Sequence, residues 1–251
     1  VRRIVAACPG RAGAVDVVDV GCGTGIAARQ FTSAGCAVLG VEPDPRMAEV
    51  ARRHGIRIER ARFEEWDPAG RTFDAVVSGQ TWHWIDPVAG AAKAAEVLRP
   101  GGVLAALWHA LQPPPEVTEA FATTYRRLRP DAPFDPGATA QGADAYQAIL
   151  TKAADGLRSA GVFGTPRRWW SGWERSYTRD EWLDQLPTHG SLTGFSPDEL
   201  AEVLAAVGSA VDARGGRVPV RYTTVALVAT RSRAVRLAVS GRGRGCRGRA
   251  R

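Results

Sequence analysis

The sequence predicts an α/β fold: a doubly wound, seven-stranded sheet, mostly parallel with an antiparallel last strand, and a helical insertion before that strand. Three features of the chain point to it. Strand and helix patterns alternate through the first half of the 251 residues, which implies parallel strands joined by right-handed crossovers. The strands are nearly continuous in Val, Leu and Ala, as expected when helices cover both sheet faces. A final β-rich run, Val218–Thr230, follows two helix-capping signatures.

The elements follow in order. Val15–Val20 is a short β-rich run, and Gly25–Ala34 a helix that starts in a glycine loop. Ala37–Glu42 is the second strand, and Pro45–His54 a helix with proline at its first position. Ile56–Glu59 and Phe73–Ser78 are the third and fourth strands. The Ala-rich stretch Val88–Leu98 is a helix, ended by the breaker "RPGG" at Arg99–Gly102, and Val103–Trp108 is the fifth strand. A helix follows "QPPPE" and runs to about Arg129, and Pro130–Gly142 reads as a loop. Arg167–Tyr177, with Trp169, Trp170 and Trp173, is a strand whose pairing with Val218–Thr230 would be antiparallel at one edge. Thr178 with Glu181, and Ser196 with Glu199, form capping boxes that start two helices before Val211. The whole is a Rossmann-like arrangement.

The net charge of +7 is concentrated in one place. Arg231–Arg251 holds eight arginines and no acid, so the remaining 25 basic and 26 acidic residues leave the body at −1. The Arg/Gly-rich tail is expected to be disordered; it reads either as a weak, salt-sensitive nucleic-acid arm or as an unselected extension, and on the second reading nucleic acid is not expected as a partner. No apolar run approaches the ~20 residues of a membrane span. The four cysteines form no C-x-x-C pair and have no histidine at ligand spacing, so neither a disulfide framework nor a metal site is expected. A reducing, cytoplasmic setting is the default.

The chemistry sits in "VVDVGCGTG", Val17–Gly25. Gly21, Gly23 and Gly25 fall between a strand and a helix, where glycine allows positive φ and close approach of a ligand. The spacing G-x-G-x-G is not the dinucleotide fingerprint, and no lysine follows for a phosphate loop. Asp19 at the strand end suits a cationic ligand group, and Glu42, closing the second strand, suits a ribose diol.

With the later segments "VLGVEPDPRM", "ARFEEWD", "FDAVVSGQTWHWID" and "EVLRPGG", the chain resembles a class I S-adenosylmethionine-dependent methyltransferase of the type 11, small-molecule group. The resemblance covers about residues 15–108. It implies one domain over residues 1–230, with a donor-binding half at about 15–110 and acceptor or lid elements at about 111–216, then the tail at 231–251. It implies S-adenosylmethionine as cofactor and S-adenosylhomocysteine as product. Gly21, Cys22, Gly23 and Gly25 would line the methionine part, with Asp19 orienting its amino group directly or through water. Glu42 would take the ribose hydroxyls, and Pro43, Met47, Phe63 and Glu64 would border the adenine. Ser78 and Gln80 would close the fourth strand beside the methyl donor. Relatives carry an aromatic N-terminal segment that folds over the donor; here about fourteen residues precede the first strand.

The acceptor side would be drawn from Trp82, His83, Trp84 and His109, with His83 the candidate general base. The motif [DNS]-P-P-[FYW] of amino-group methylation of bases is absent at the end of the fourth strand, as are the Pro-Cys of cytosine C5 chemistry and the C-x-x-x-C-x-x-C of radical enzymes. A small-molecule acceptor is expected, at O, C or N. The alternatives are an RNA-modifying enzyme using the basic tail and a non-catalytic nucleoside-binding relative.

Overall fold

The computed structural model describes residues 1–9, 13–132, 146–192 and 194–233. The loop expected at Pro130–Gly142 lies outside the described residues from 133 onward, and the tail from 234 onward. One sheet holds β1 (Asp16–Val20), β2 (Ala37–Val41), β3 (Arg57–Glu59), β4 (Phe73–Gly79), β5 (Leu98–Gln112), β6 (Arg167–Thr178) and β7 (Arg217–Thr230). Around it lie α1 (Arg2–Ala7), α2 (Ile26–Ser33), α3 (Pro45–Arg53), α4 (Pro87–Val97), α5 (Pro115–Leu128), α6 (Gln147–Ser159), α7 (Arg179–Gln185) and α8 (Pro197–Asp212). Among the described residues the strand order is β3-β2-β1-β4-β5-β7-β6, and β7 runs antiparallel to both its neighbours. The seven strands, the mostly parallel pairing and the antiparallel edge agree with the sequence reading.

Strand alternation divides the core. Val18, Val20, Val76, Leu104 and Ala106 turn toward Ala91 and Ala94 of α4 and Leu150 and Leu157 of α6. Val17, Ala75, Val77, Val103 and Ala105 turn the other way, toward Ile4 of α1 and Phe31 of α2. The order reverses between β1 and β4, so the carboxyl ends of these two strands open a crevice where α/β sheets bind ligands.

Two features differ from the expectation. Arg99–Gly102 belongs to β5 instead of breaking the chain before it. Gly101 takes φ +84°, and the β4–β5 register shifts between Phe73 and Ala75, so a bulge absorbs the turn residues. At its other end β5 outruns β4: Leu107 pairs with Gly79, while Trp108–Gln112 pair only with β7. These projecting strands support a second core, where Val218, Val220 and Tyr222 meet Val117 of α5, Trp182 of α7 and Val203 of α8.

Helices α1 and α6 were not read from the sequence. Only Ile4 of α1 is buried. In α6, Leu150, Ala153, Ala154 and Leu157 follow the helical repeat and are buried, but no side chain caps the N-terminus, so the usual start signal is missing. The signalled capping boxes are both present, at Thr178–Glu181 and Ser196–Glu199. Ser196→Ala is therefore expected to cost about 1 kcal/mol and lower the melting temperature by a few degrees, while Ser196→Asp restores it. Thermal denaturation followed by circular dichroism checks both.

Among the described residues Cys8, Cys22 and Cys36 are free thiols, no His/Cys/Asp/Glu group could hold a metal, and no helix is long and apolar enough to cross a membrane.

Candidate functional site

The crevice at the switch point is a cleft of about 310 Å³. Its walls come from Val20 at the end of β1 and Gly21 after it, Val41 at the end of β2 and Pro43 beyond it, Ala61–Glu64 after β3, and Thr81, Trp84 and Ile85 after β4. Each contribution lies at or past a strand's carboxyl end.

Gly21, Gly23 and Gly25 have φ of +59°, +56° and +82°, a run of left-handed residues that ordinary side chains rarely adopt. At Gly21 space also forbids a side chain, since a Cβ would lie 2.0 Å from Thr81 Cγ2. Thr81 Oγ1 sits 3.0 Å from the Gly21 carbonyl and 3.1 Å from that of Gly79, tying the loop to the end of β4. Thr81 was not singled out in the sequence; its place just past the fourth strand, inside "SGQTWHW", was the available signal.

Asp19 is fully buried, and neither carboxylate oxygen has a hydrogen-bond partner. Alternation places its side chain with Val17, on the α2 side, so it reaches the cleft only from beneath the glycine loop. Burial raises its pKa to about 7; the Ala28 N–H of α2, near the carboxyl but outside hydrogen-bond geometry, opposes the rise and the Glu42 charge adds to it. A buried carboxyl without a partner leaves room for a cation or a donor.

Glu42 is 5% exposed and already engaged. Gly23 N–H donates to its Oε2 at 2.8 Å and Asp44 N–H to its Oε1 at 2.9 Å. It therefore clamps the glycine loop to the start of α3, a role its sequence position did not announce, and each oxygen keeps a second lone pair. Asp86 N–H donates to Glu64 Oε1 at 3.2 Å, which fastens this wall to the start of α4.

The remaining expected donor contacts divide. Pro43, Phe63 and Glu64 line the cleft. Phe63 is also core, 3% exposed and stacked on Trp66. Met47 is not a wall residue: it is 45% exposed on α3, its Sδ 3.8 Å from where a Cβ on Gly23 would sit. The Cys22 side chain turns away into a small core with Ala28, Ala48 and Ala51, so Cys22 can meet a ligand through its backbone alone. Ser78 is buried on the α4 side of β4, its Oγ without a partner. Gln80 has φ +59°, an uncommon backbone for a non-glycine residue. Its Nε2 donates to the His109 carbonyl at 3.4 Å, and Tyr146 Oη donates to the same carbonyl at 3.1 Å.

On the expected acceptor side, Trp82 is a correction. It is 2% exposed in the main core, where it fills the space under α4. Trp84 is 75% exposed and lines the cleft. Trp108 Nε1–H donates to His83 Nδ1 at 3.1 Å. An indole only donates, so Nδ1 is an acceptor and neutral His83 carries its proton on Nε2. Trp173 Nε1–H donates to Thr224 Oγ1 at 3.0 Å, and the same hydroxyl lies 2.8 Å from His109 Nδ1, to which it can donate or from which it can accept. Burial lowers the pKa of both imidazoles. They lie on opposite sheet faces, since Trp108 packs against α6 and its neighbour His109 points the other way.

A sequence model described as a methyltransferase domain matches residues 18–106. An uncharacterised methyltransferase of Mycobacterium tuberculosis is 36% identical over 95 residues, 37% of this chain and 39% of that protein. Malonyl-[acyl-carrier protein] O-methyltransferase of Acetivibrio thermocellus is 26% identical over 184 residues, 70% of this chain and 64% of that protein. A solved structure described as a type II methyltransferase from Anaeromyxobacter dehalogenans shares the fold, with TM-score 0.63 and 22% identity over 90% of this chain and 93% of that one. The chain thus spans about 39% of the length of the curated relatives it first matches.

Proposed function

We propose that this chain, which belongs through residues 18–106 to the class I S-adenosylmethionine-dependent methyltransferases of the type 11 group, transfers the methyl of S-adenosylmethionine to a small-molecule acceptor. The observation that carries this reading is the cradle of left-handed glycines over a buried carboxyl without a partner, beside a cleft at the switch point.

When bound, the cofactor supplies a methyl already activated on a sulfonium. The chain's residues then hold and orient. Gly21, Gly23 and Gly25 present backbone, and Asp19 supplies the anion for an ammonium. The free lone pairs of Glu42 accept from ribose hydroxyls. Pro43, Phe63 and Glu64 wall the base, with Met47 at the rim, and Ser78 and Gln80 close the β4 end. Orientation of two reactants supplies much of the rate in such a site.

Held as its Nε2–H tautomer, His83 acts as a donor instead of a base. Such a group suits an acceptor that is already electron-rich, such as a carboxylate or phenolate oxygen, and the exposed Trp84 offers it a flat apolar wall. His83→Asn is expected to lower kcat/KM for the acceptor roughly tenfold while the donor Kd stays within about twofold. Unchanged kcat and KM would remove His83 from the site.

Titration calorimetry of the full chain with S-adenosylmethionine tests the reading, followed by transfer of labelled methyl to carboxylic acids, phenols, amines and bulk RNA. Donor binding with label in a small molecule supports it. No binding at millimolar donor would sink it. Label in RNA, or binding with no transfer to any acceptor class, would replace it with one of the two alternatives.

A further inference from the structure

Strand β6 is the edge of the sheet, and among the described residues nothing pairs with its outer side. It runs twelve residues in unbroken register with β7, and all but Trp169 and Tyr177 are classed as exposed. Trp170 and Trp173 are 46% and 41% exposed. Natural edges are commonly blunted by shortness, by lysine, by proline or by a bulge. This one has none of these; its charges are Arg167, Arg168, Glu174 and Arg175, and between them the open ladder is flanked by large apolar side chains.

The geometry points to a second copy of this chain as the occupant: two β6 strands pair antiparallel about a two-fold axis at Ser171, joining two sheets into one. Antiparallel pairing of identical strands is self-complementary by symmetry, and directly opposed residues must share a face. Centred on Ser171, the ladder sets Arg168 opposite Glu174, Trp169 opposite Trp173 and Trp170 opposite Gly172, and at its ends Arg167 opposite Arg175, a like-charge pair softened by the ion pair that Arg175 makes with Glu181. Glu174 carries no ion pair within the described chain, although it stands beside Arg221 of β7. This is the one two-fold register that places an arginine of β6 directly opposite Glu174. It also lays an indole over the one glycine of the strand and pairs two tryptophans on the other face, both favourable cross-strand arrangements. Shifted one residue pair either way, Glu174 faces a tryptophan or leaves the ladder.

The interface would sit one contact from the acceptor side. Trp173 stacks on Tyr222 at 4.0 Å and meets His109 edge-on at 5.9 Å, so pairing would cover the outer side of a residue that packs on His109.

The test is sedimentation equilibrium of the full chain with Glu174→Arg, Arg168→Glu and the double exchange. All three alter exposed side chains, and circular dichroism verifies the fold. The wild type is expected to dimerise, each single variant to raise the dimer Kd on the order of tenfold through two symmetric like-charge pairs, and the exchange to restore it. A wild type monomeric at 100 µM (about the highest practical concentration) overturns the proposal, as do single variants without effect or an exchange that fails to restore. A second readout is Ser171→Cys. At the axis the two Cα atoms lie about 4.5–5.5 Å apart, within reach of a disulfide. Rapid formation of a covalent dimer, absent from the wild type under the same oxidant, is expected, and its absence excludes this register.

Discussion

Gly21→Ala is expected to weaken S-adenosylhomocysteine binding at least about a hundredfold, equivalent to about 2.7 kcal/mol. Two independent penalties act there. The backbone holds φ +59°, which costs a residue with a Cβ roughly 1–2 kcal/mol. The Cβ would also fall 2.0 Å from Thr81 Cγ2 and 2.8 Å from Thr81 Cβ, so Thr81 or the loop must move. Thr81 is not a free end: its hydroxyl joins the Gly21 and Gly79 carbonyls. Displacing it unfastens the glycine loop from β4 and pulls at the cleft wall that Gly21 and Thr81 share. Gly55→Ala is the control, because Gly55 has φ +80° but nothing within 4 Å of an added Cβ. It should lower stability by a similar strain cost and leave ligand affinity alone. Adding Thr81→Ser to Gly21→Ala removes the methyl in the closest contact and should recover part of the affinity, a non-additive result that double-mutant analysis detects. If Gly21→Ala bound ligand as tightly as Gly55→Ala, the loop would not be the ligand cradle.

Much of the fold was legible because its signals are local and redundant. Each strand before α4 is a short apolar run flanked by glycine, proline or an acid, and both capping boxes lie where the spacing put them. What escaped notice depended on distant partners. The projecting end of β5 exists because Trp108–Gln112 find β7, more than a hundred residues later in the chain. Helix α6 lacks a capping side chain, and its register is set by packing on α4, where Gly156 lies against the Pro87 carbonyl. The site shows the same division. The glycine loop, Asp19 and Glu42 stand out by residue type and spacing. The His83 tautomer is settled by Trp108, and nothing local to "TWHW" reports that. Trp82 and Trp84 are two residues apart in one motif, yet one is core and the other open, because the 3-10 turn at Trp82–Trp84 rotates them apart.

Donor binding is expected to depend on pH through Asp19. The buried carboxyl has a pKa of about 7 in the free protein, chiefly from desolvation, against about 3.9 in an unfolded chain. The sign follows from proton counting. Between pH 4 and 7 the folded state holds a proton that the unfolded state has lost, so this group's contribution to stability falls as pH rises through that window, by up to roughly 4 kcal/mol. Glu59 and Glu199, held low by Arg71 and Arg129, act with the opposite sign and at lower pH, losing their contributions as pH falls toward 2. The buried imidazoles His83, His109 and His189, held below their ordinary range, give a slope of opposite sign inside the Asp19 window, so the Asp19 part is read as the difference between wild type and Asp19→Asn. An ammonium ligand reverses the penalty by pairing with the ionised carboxylate, so binding releases a proton wherever free Asp19 is protonated. Affinity should fall by a factor approaching ten per unit below pH 7, near a hundredfold by pH 5, and flatten above 7 until the ligand's own ammonium is lost near pH 8. Calorimetry in buffers of different ionisation enthalpy counts that proton directly. Asp19→Asn removes the titrating group: relative to wild type, the free protein should lose the falling part of its stability slope between pH 4 and 7 and become more stable at pH 8. Its donor affinity should drop about a hundredfold at pH 7.5 and no longer vary between pH 5 and 7. A variant that gains stability but binds the donor as wild type does would leave Asp19 a strained strand residue with no part in holding the ligand, and the ammonium would have to be held by the Gly21–Gly25 loop alone.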